Sequence, residues 1–204
     1  MKDLIFTQKI FDFDLSLNCK HICGVDEAGR GPLAGPVVCA SVIMPYDSMI
    51  DGIYDSKGVS EKKRSELFDK IKNVAISYHI AVIDCDVIDE INILEATKQG
   101  MVEAIVSVCD VITPDKILVD AVKGLNIDRE YVALIKGDQT SYAIASASIL
   151  AKVTRDRLME EYDKQYLQYG FNKHRGYGTV QHIGAIKEFG LCPIHRKSFC
   201  KNFI

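Results

Sequence analysis

Apolar residues form two short runs near the start of the chain, on either side of a segment rich in glycine and proline. The runs HICGVDE (residues 21–27) and PVVCASVIM (residues 36–44) have the pattern of buried strands. A third run, AISYHIAVID (residues 75–84), alternates in part between apolar and polar positions. The pattern therefore predicts three strands, the first two joined by the glycine-rich loop.

Helical spacing of apolar residues appears in several longer segments. The segment SEKKRSELFDKIK (residues 60–72) has one apolar face, with Ser60 as a plausible N-cap. A longer helix is predicted over residues 87–109; it begins with acids, and Asp89 is a possible cap. Further helices are predicted over residues 141–168 and near residues 180–189.

Two more apolar strands, DKILVDA (residues 115–121) and YVALIKGD (residues 131–138), lie between the later helices. Strands come first along the chain, and helices and strands alternate afterwards. This order predicts an α/β fold around one mixed sheet, antiparallel at the start and parallel later. The 204 residues, 48% of them hydrophobic, contain no linker or internal repeat, so we expect a single domain over residues 1–204.

Carboxylates end three of the predicted strands. Asp26 and Glu27 end the first strand, Asp120 ends the fourth and Asp138 ends the fifth. Sites in α/β proteins collect at the carboxyl ends of parallel strands, so these acids are expected to converge. Taken singly, each is more often a turn residue or a helix cap, and Asp138 is suitably placed to cap the helix over residues 141–168.

Clustered carboxylates need a cation to offset their repulsion, and Mg²⁺ prefers oxygen ligands. The sequence has no HExxH motif, no Cys/His cluster and no Walker A loop, which argues against a zinc protease or a nucleotide kinase. Four carboxylates are enough to hold two ions about 3.5–4 Å apart, the arrangement used for in-line phosphodiester cleavage.

The first strand is followed by a Gly-Arg-Gly segment, residues 29–31. Because neighbouring strand residues point to opposite faces, we expect Asp26 and Glu27 to serve one site only if the strand ends there and the chain turns. Gly29 and Gly31 allow such a turn and a close approach to a sugar–phosphate backbone, and Arg30 adds positive charge. An ordinary glycine-rich hairpin is the alternative.

Ser148, Lys152 and Arg155 lie on one face of the predicted long helix, at spacings of four and three. This face either contacts phosphates or is solvated, with ion pairs to Asp156 or Glu160; the spacing leaves both interpretations open.

The charge distribution favours a polyanionic partner more than the net charge of −3 does. Residues 171–204 contain six Lys or Arg and one acid, although a solvated basic helix face explains this too. Seven cysteines without a C-x-x-C pair are expected to be reduced structural thiols. No apolar stretch suggests a signal peptide or a membrane span, so a cytoplasmic protein without membrane association is expected.

Together these residues resemble the ribonuclease HII family. The matching stretches cover about residues 21–199 and comprise GVDEAGRGPLAGPVV, DSK at residues 55–57, IDEINILEAT, ILVDA, KGD, ASASILAKVTRDR, YGFNKHRGYGT and HRKSF. One departure follows DSK: the family often has a lysine and a leucine there, whereas this chain has Gly58 and Val59. The lysine side chain that would contact a phosphate from position 58 is therefore absent.

The resemblance implies a ribonuclease H-like fold, a central mixed sheet flanked by helices, with a helical C-terminal extension. It implies endonucleolytic cleavage of RNA in RNA–DNA hybrids and of single ribonucleotides in duplex DNA, leaving 5′-phosphate and 3′-hydroxyl ends. The cofactors would be two divalent ions, either Mg²⁺ or Mn²⁺.

The resemblance also assigns residues to roles. Asp26, Glu27, Asp120 and Asp138 would hold metal, and Gly29, Arg30 and Gly31 would contact the ribose 2′-OH. Tyr177 would pack on the sugar at the RNA–DNA junction, with a core position as the alternative. The other expected substrate-binding residues are Lys57, Ser148, Lys152 and Arg155, and the three cations among them would contact phosphates.

The expected partners are RNA–DNA hybrid and ribonucleotide-containing duplex DNA, bound by a monomer. Two rival functions remain open from sequence: another nuclease of the same fold with a different substrate, and a non-catalytic protein that binds hybrids.

Overall fold

A mixed sheet lies at the centre of the computed structural model, which describes residues 2–54 and 59–203. Within this part of the chain the sheet has five strands in the order β3-β2-β1-β4-β5. The strands are β1 (Ile22–Ala28), β2 (Val37–Ile43), β3 (Ser77–Ile83), β4 (Lys116–Asp120) and β5 (Val132–Leu134). The pairs β1–β2 and β2–β3 are antiparallel, and β1–β4 and β4–β5 are parallel, which confirms the predicted mixed sheet.

Helices cover both faces of this sheet and form the C-terminal part of the chain. They are α1 (Lys2–Ser16), α2 (Glu61–Val74), α3 (Cys85–Cys109), α4 (Tyr142–Gln165), α5 (Phe171–His174), α6 (Val180–Phe189) and α7 (Lys197–Cys200), with a 3₁₀ turn at Gly137–Gln139. The helix predicted at 180–189 is confirmed, and so is the cap of α2, where the Ser60 hydroxyl accepts a hydrogen bond from the Lys63 N–H.

The two faces of β2 contribute to two separate apolar cores. Val38, Ala40 and Val42 belong to the core that includes α4, whereas Cys39 and Ile43 belong to the core that includes α3. This alternation is the period of two expected for a strand buried on both sides.

Helix α4 lies very close to β1. A side-chain carbon at Gly24 would lie 2.1 Å from the backbone of Ala143, so only glycine permits this approach. The close packing places the first half of α4, including Ser148, next to the carboxyl end of β1.

Three local predictions are wrong. Asp89 does not cap α3, which begins after Asp84; its carboxylate instead accepts hydrogen bonds from the N–H groups of Lys197 and Ser198 at the start of α7. The fifth strand ends at Leu134, so Asp138 lies in the 3₁₀ turn and not at a strand end.

Asp138 does not cap the long helix either. The N-cap of α4 is Ser141, whose hydroxyl accepts a hydrogen bond from the Ile144 N–H. Helix α1, which was not predicted from the sequence, packs against α4 through buried Ile10 and Phe11.

Candidate active site

The carboxylates of β1 lie where this strand extends beyond its parallel neighbour. Pairing between β1 and β4 runs as far as Val25 opposite Val119. Strand β1 continues for three more residues, still paired with β2 up to Ala28. The strand therefore does not end at Asp26 and Glu27, and the expected turn there is wrong.

The same register explains how adjacent strand residues reach one site. Beyond Val25 the β4 side of β1 opens into a cleft, with Asp120 at the end of β4. Side chains that leave β1 on either face can bend into this gap between the strands. Asp26, Glu27 and Asp120 accordingly line the same cleft.

Asp26 is buried, and a hydrogen bond from the Ser148 side chain supports its carboxylate. The backbone N–H of Glu27 also donates to Asp26 Oδ1 at 2.7 Å. Burial, followed by the neighbouring charges of Glu27 and Asp120, raises the pKa of Asp26 well above its usual value. The fold thus holds this acid in a place where its negative charge is unfavourable without a cation.

Glu27 has one charged neighbour on the adjacent loop. Its Oε1 lies 3.4 Å from an Arg30 guanidinium nitrogen, while its Oε2 is buried and has no hydrogen-bond partner among the described residues. Burial raises the pKa of Glu27, the Arg30 charge opposes this, and the Asp120 charge adds to it. An unpartnered buried carboxylate oxygen has the chemistry of a metal ligand.

Asp120 and Asp138 complete the acidic group from the other side of the cleft. The Gly137 N–H donates to Asp120 Oδ1 at 2.6 Å, which ties the 3₁₀ turn to the end of β4. A side-chain carbon at Gly137 would lie 2.6 Å from Ile144, so glycine lets the turn carry Asp138 to the cleft.

The cleft has a volume of about 380 Å³, and its walls bring together almost all the site residues named from sequence. Its lining comprises Asp26, Glu27, Ala28, Gly29, Arg30, Gly31, Asp120, Asp138, Ser148, Lys152, Arg155 and Tyr177. Of these, only Ala28 was not named from sequence. Lys57, with Gly58, lies outside the described residues.

The acidic residues of the cleft have the ligand chemistry for a cation, but they do not form a complete coordination site as they stand. In the described ranges, no three Asp, Glu, His or Cys side chains are arranged so that they could hold an ion as they stand. The carboxylate oxygens that line one cleft, the unpartnered Glu27 Oε2 and the raised pKa values of Asp26 and Glu27 nevertheless fit the ligand chemistry of a hard divalent ion.

The basic face of α4 has protein partners. Lys152 Nζ forms an ion pair with Asp156 at 2.7 Å, one of the two pairs considered from sequence. Arg155 is buried, and its guanidinium donates to the carbonyls of Ala34, Pro36 and Arg175. The geometry of Arg155 thus favours holding the loop after β1 over contacting a phosphate.

A second buried arginine, which the sequence analysis missed, holds the same loop. Arg196 is fully buried and donates to four loop carbonyls, those of Gly29, Arg30, Pro32 and Gly35. The only available signal was its place in the matching stretch HRKSF. Since arginine is usually exposed, composition alone gave no reason to single it out.

Tyr177 stands at the open edge of the cleft. Its side chain is 47% exposed, so a core position is wrong. Its ring lies 3.7 Å from where a side-chain carbon on Gly31 would be. Gly176 precedes it with a φ of +85°, where a side-chain carbon would lie 2.4 Å from the Ala34 carbonyl oxygen, so the turn requires glycine.

The C-terminal segment is less basic at its surface than its sequence suggests. Arg196 is buried, and Arg175 forms ion pairs with Glu61 and Glu160 at 2.9 and 2.8 Å. Two of the six cations counted from sequence are therefore used within the protein.

All seven cysteines are free thiols, as expected from their spacing. The described helices include none with the length and apolar character needed to cross a membrane.

Comparison with known proteins identifies the family. The ribonuclease HII family profile matches residues 23–202. Ribonuclease HII of Ruminiclostridium cellulolyticum is 58% identical over 200 residues, which cover 97% of this chain and 78% of the relative.

Solved structures agree. Ribonuclease H2 from Pyrococcus horikoshii has a TM-score of 0.76 at 28% identity and covers 90% of this chain and 96% of its own. Ribonuclease HII from Archaeoglobus fulgidus, solved in complex with PCNA, has a TM-score of 0.72 at 25% identity, with 89% and 96% covered. A Bst ribonuclease HIII in complex with Mn²⁺ shares the fold with a TM-score of 0.64 at 17% identity, with 83% and 63% covered. The fold is therefore ribonuclease H-like, and this chain belongs to the ribonuclease HII family as an endoribonuclease of the ribonuclease H type.

Proposed function

We propose that this enzyme hydrolyses the RNA strand of RNA–DNA hybrids and also cuts at single ribonucleotides embedded in duplex DNA. The products carry 5′-phosphate and 3′-hydroxyl ends. The observation that carries the proposal is the shared cleft, in which four carboxylates face a Gly-Arg-Gly loop and an exposed tyrosine. Acidic and ribose-reading groups in one cleft suit a nuclease that must find one ribonucleotide and cut beside it.

Two divalent ions, Mg²⁺ or Mn²⁺, would be held by Asp26, Glu27, Asp120 and Asp138. When bound, such ions supply an activated water and stabilise the departing 3′-oxygen. The chain's own contribution is to keep the ligands in place: Ser148 supports Asp26, and the Gly137 N–H supports Asp120. Arg30 pairs with Glu27 and so limits the repulsion before metal binds.

The remaining cleft residues are proposed to bind substrate. The backbone of Gly29, Arg30 and Gly31 would contact the 2′-OH, the group that distinguishes RNA from DNA. The exposed ring of Tyr177 would pack on the sugar at the junction, since it stands beside Gly31 at the open edge of the cleft. Lys57 and Lys152 would contact phosphates, with Lys152 exchanging its Asp156 partner for the substrate.

The test replaces Asp120 with asparagine and measures cleavage and binding separately. With Mg²⁺ or Mn²⁺, we expect Asp120→Asn to lower cleavage by orders of magnitude while the affinity for the same duplex persists. Asp110→Asn is a matched control, because Asp110 is an exposed acid at the end of α3. Near-normal cleavage by Asp120→Asn would exclude its proposed role.

A substrate panel separates this proposal from the rival nuclease of the same fold. All-DNA duplex, RNA–DNA hybrid and duplex DNA with one ribonucleotide are each incubated with Mg²⁺, Mn²⁺ or EDTA, and the cut is mapped. Cleavage of all-DNA duplex would favour the rival. The other alternative, a non-catalytic binder, is already overturned by membership of an enzyme family.

We further propose that the enzyme acts as a monomer in the cytoplasm.

A further inference from the structure

The loop between β1 and β2 is held by a side chain from the far end of the chain. Arg196 precedes α7, and its backbone N–H donates to the Leu33 carbonyl at 2.9 Å. An isolated bridge between Ala34 and His195 continues this contact. The C-terminal segment thus lies directly against residues 29–36, the loop that carries the Gly-Arg-Gly sequence.

The Arg196 guanidinium is bonded entirely to loop carbonyls. Nη2 donates to Gly29 at 2.6 Å, Nη1 to Arg30 at 3.0 Å and to Pro32 at 2.9 Å, and Nε to Gly35 at 2.9 Å. Burial, with a smaller effect from the neighbouring Arg155 charge, lowers the pKa of Arg196 to about 9. The guanidinium is still charged at neutral pH, so the buried cation depends on these carbonyls for its stabilisation.

Arg155, on α4, donates further hydrogen bonds to the same loop. Its Nη2 donates to the Ala34 carbonyl at 3.1 Å and its Nε to the Pro36 carbonyl at 3.0 Å. Counting the bond from the Arg196 backbone, seven of the eight carbonyls from residue 29 to residue 36 accept hydrogen bonds from the two arginines. The direction of nearly every peptide in the loop is therefore set by arginine.

This direction fixes where the loop's N–H groups point. In a trans peptide the C=O and the following N–H point to opposite sides. The Gly29 and Arg30 carbonyls point to Arg196, so the N–H groups of Arg30 and Gly31 point away from it. Both residues line the cleft, and Gly31 stands beside the Tyr177 ring.

We propose that Arg196 is a positioning residue for ribose recognition, turning the N–H groups of Arg30 and Gly31 into the cleft as donors for the 2′-oxygen. The inference rests on the proposed function, since it requires a cleft that reads ribose. Arg196 is fully buried and is not among the residues that line the cleft. It acts through the loop, and it ties the preference for ribonucleotides to the C-terminal segment.

An arginine is needed because its planar fork reaches four carbonyls at once. A lysine at the same position keeps the charge but has a single nitrogen with three N–H donors, too few and too close together for these four acceptors. Arg196→Lys is therefore the informative variant. It leaves the cation in place and removes the geometry that orients the two peptides.

The experiment compares binding of ribose with binding of DNA in the metal-loaded enzyme. KM and kcat are measured for a duplex with one ribonucleotide, and an all-DNA duplex of the same sequence is used as a competitive inhibitor to obtain its Ki. We expect Arg196→Lys to raise KM for the ribonucleotide duplex at least fivefold relative to the Ki for DNA. Lys164→Met, which removes an exposed cation paired with Glu161, should leave this ratio unchanged.

A ratio within twofold of wild type in a folded Arg196→Lys protein would overturn the inference while the proposed function stands. If wild-type enzyme fails to cut the ribonucleotide duplex at all, both are overturned. A second measurement needs no variant: amide NMR signals of Arg30 and Gly31 in the wild-type enzyme are followed with each duplex in EDTA. Larger shifts with the ribonucleotide duplex support the inference, and equal shifts with both duplexes contradict it.

Discussion

Gly29 and Gly31 are separated by one residue, but the space around their α-carbons differs. Gly29 has a φ of +98°, and a side-chain carbon there would lie 2.0 Å from Arg155 Nε and 2.8 Å from the Pro36 carbonyl oxygen. The nearest atom at Gly31 is a Tyr177 ring carbon at 3.7 Å, an ordinary contact. Gly29 is therefore required by the fold, whereas Gly31 leaves room that a substrate can use.

We predict that alanine at position 29 mainly lowers the stability of the protein, whereas alanine at position 31 mainly lowers its activity. Gly29→Ala should destabilise the protein by at least about 2 kcal/mol, because it combines a strained backbone with displacement of Arg155. For a chain of this size each kcal/mol lowers Tm by about 2–4 °C. Gly31→Ala should keep stability within about 0.5 kcal/mol of wild type and lose at least about tenfold in kcat/KM. Thermal unfolding and cleavage assays check this; equal loss of stability in both variants would contradict it.

The ring of Tyr177 offers a second prediction at this scale. Because the side chain is half exposed at the edge of the cleft, Tyr177→Ala should change the free energy of unfolding by less than about 1 kcal/mol. Its cleavage rate at a single embedded ribonucleotide should nevertheless fall at least about tenfold, since the stacking surface for the sugar is lost. Tyr177→Phe keeps the ring and is the matched control. An unchanged rate for Tyr177→Ala on that substrate would exclude the role.

The sequence analysis predicted the cleft residues that carry conspicuous chemistry, and it missed Arg196, which holds the loop but does not line the cleft. Four carboxylates and a Gly-Arg-Gly segment stand out because they interrupt apolar runs. Arg196 resembles any other cation of a basic tail, and its burial depends on the fold placing the loop's carbonyls around it. No local pattern encodes that arrangement.

At the scale of elements, α1 supplies a hydrogen-bond acceptor, Asp14, to the first turn of α4. The Asp14 carboxylate is buried and accepts hydrogen bonds from the Ala143 N–H at 2.8 Å and the Tyr46 hydroxyl at 2.7 Å. The first N–H groups of a helix need such acceptors. Burial raises the pKa of Asp14, while these hydrogen bonds oppose that effect. Through α4, this contact supports the helix that also carries Ser148 to the cleft.

We predict that Asp14→Ala destabilises the protein by about 1–3 kcal/mol. The substitution removes a helix-terminal acceptor and takes away the hydrogen-bond partner of the buried Ala143 N–H and of the partly buried Tyr46 hydroxyl. Asp12→Ala is the matched control on the same helix, because Asp12 is exposed and its carboxylate accepts a hydrogen bond from the exposed Gln8 side chain. Urea denaturation measures both. A free energy of unfolding for Asp14→Ala within about 0.5 kcal/mol of that of Asp12→Ala would contradict the proposed stabilisation of α4 by Asp14.

The elements differ in how well the sequence predicted them, for a physical reason. Helices α2 and α6 have local caps in Ser60 and Thr179, and a local cap is visible in sequence. In α1, apolar residues occur around the helix, and several of them, including Ile5 and Phe6, are exposed, so no single stripe marks it. Asp89 looked like a local cap, yet its acceptor oxygens serve α7 more than a hundred residues away.

At the scale of the whole molecule, three buried histidines connect the C-terminal helices to the turn that carries Tyr177. Gly176 N–H donates to His174 Nδ1, and His182 Nδ1 lies 3.0 Å from the Tyr177 carbonyl oxygen. His182 Nε2 lies 3.0 Å from His195 Nε2.

One neutral form of each ring satisfies these contacts. His182 donates from Nδ1 to the Tyr177 carbonyl, so its Nε2 accepts from His195. The His195 Nδ1 then accepts from the Cys192 N–H at 2.9 Å. An added proton on either ring would break one of these bonds, so the network is built for neutral histidines.

Acid should therefore loosen the protein before most carboxylates titrate. Burial, followed by the His182 charge, lowers the pKa of His195 to about 4, and burial also lowers the pKa of His182. The unfolded chain binds protons near pH 6.5 while the folded protein resists them until a lower pH. Stability is thus fully present above about pH 7 and falls as the pH drops toward 4, by up to about 3 kcal/mol for His195 at about 1.4 kcal/mol per pKa unit.

Urea denaturation at several values between pH 8 and pH 5 measures this effect, with His195→Asn as the comparison. The variant is expected to be less stable at pH 8, where the network is intact in the wild type, but to lose less free energy on going to pH 5. The raised pKa values of Asp26 and Glu27 act in the opposite direction, because protonation relieves their repulsion. They contribute equally to both proteins and cancel in the difference. If the free energy of unfolding falls equally with pH in the wild type and in His195→Asn, the histidine network does not couple pH to the stability of the fold.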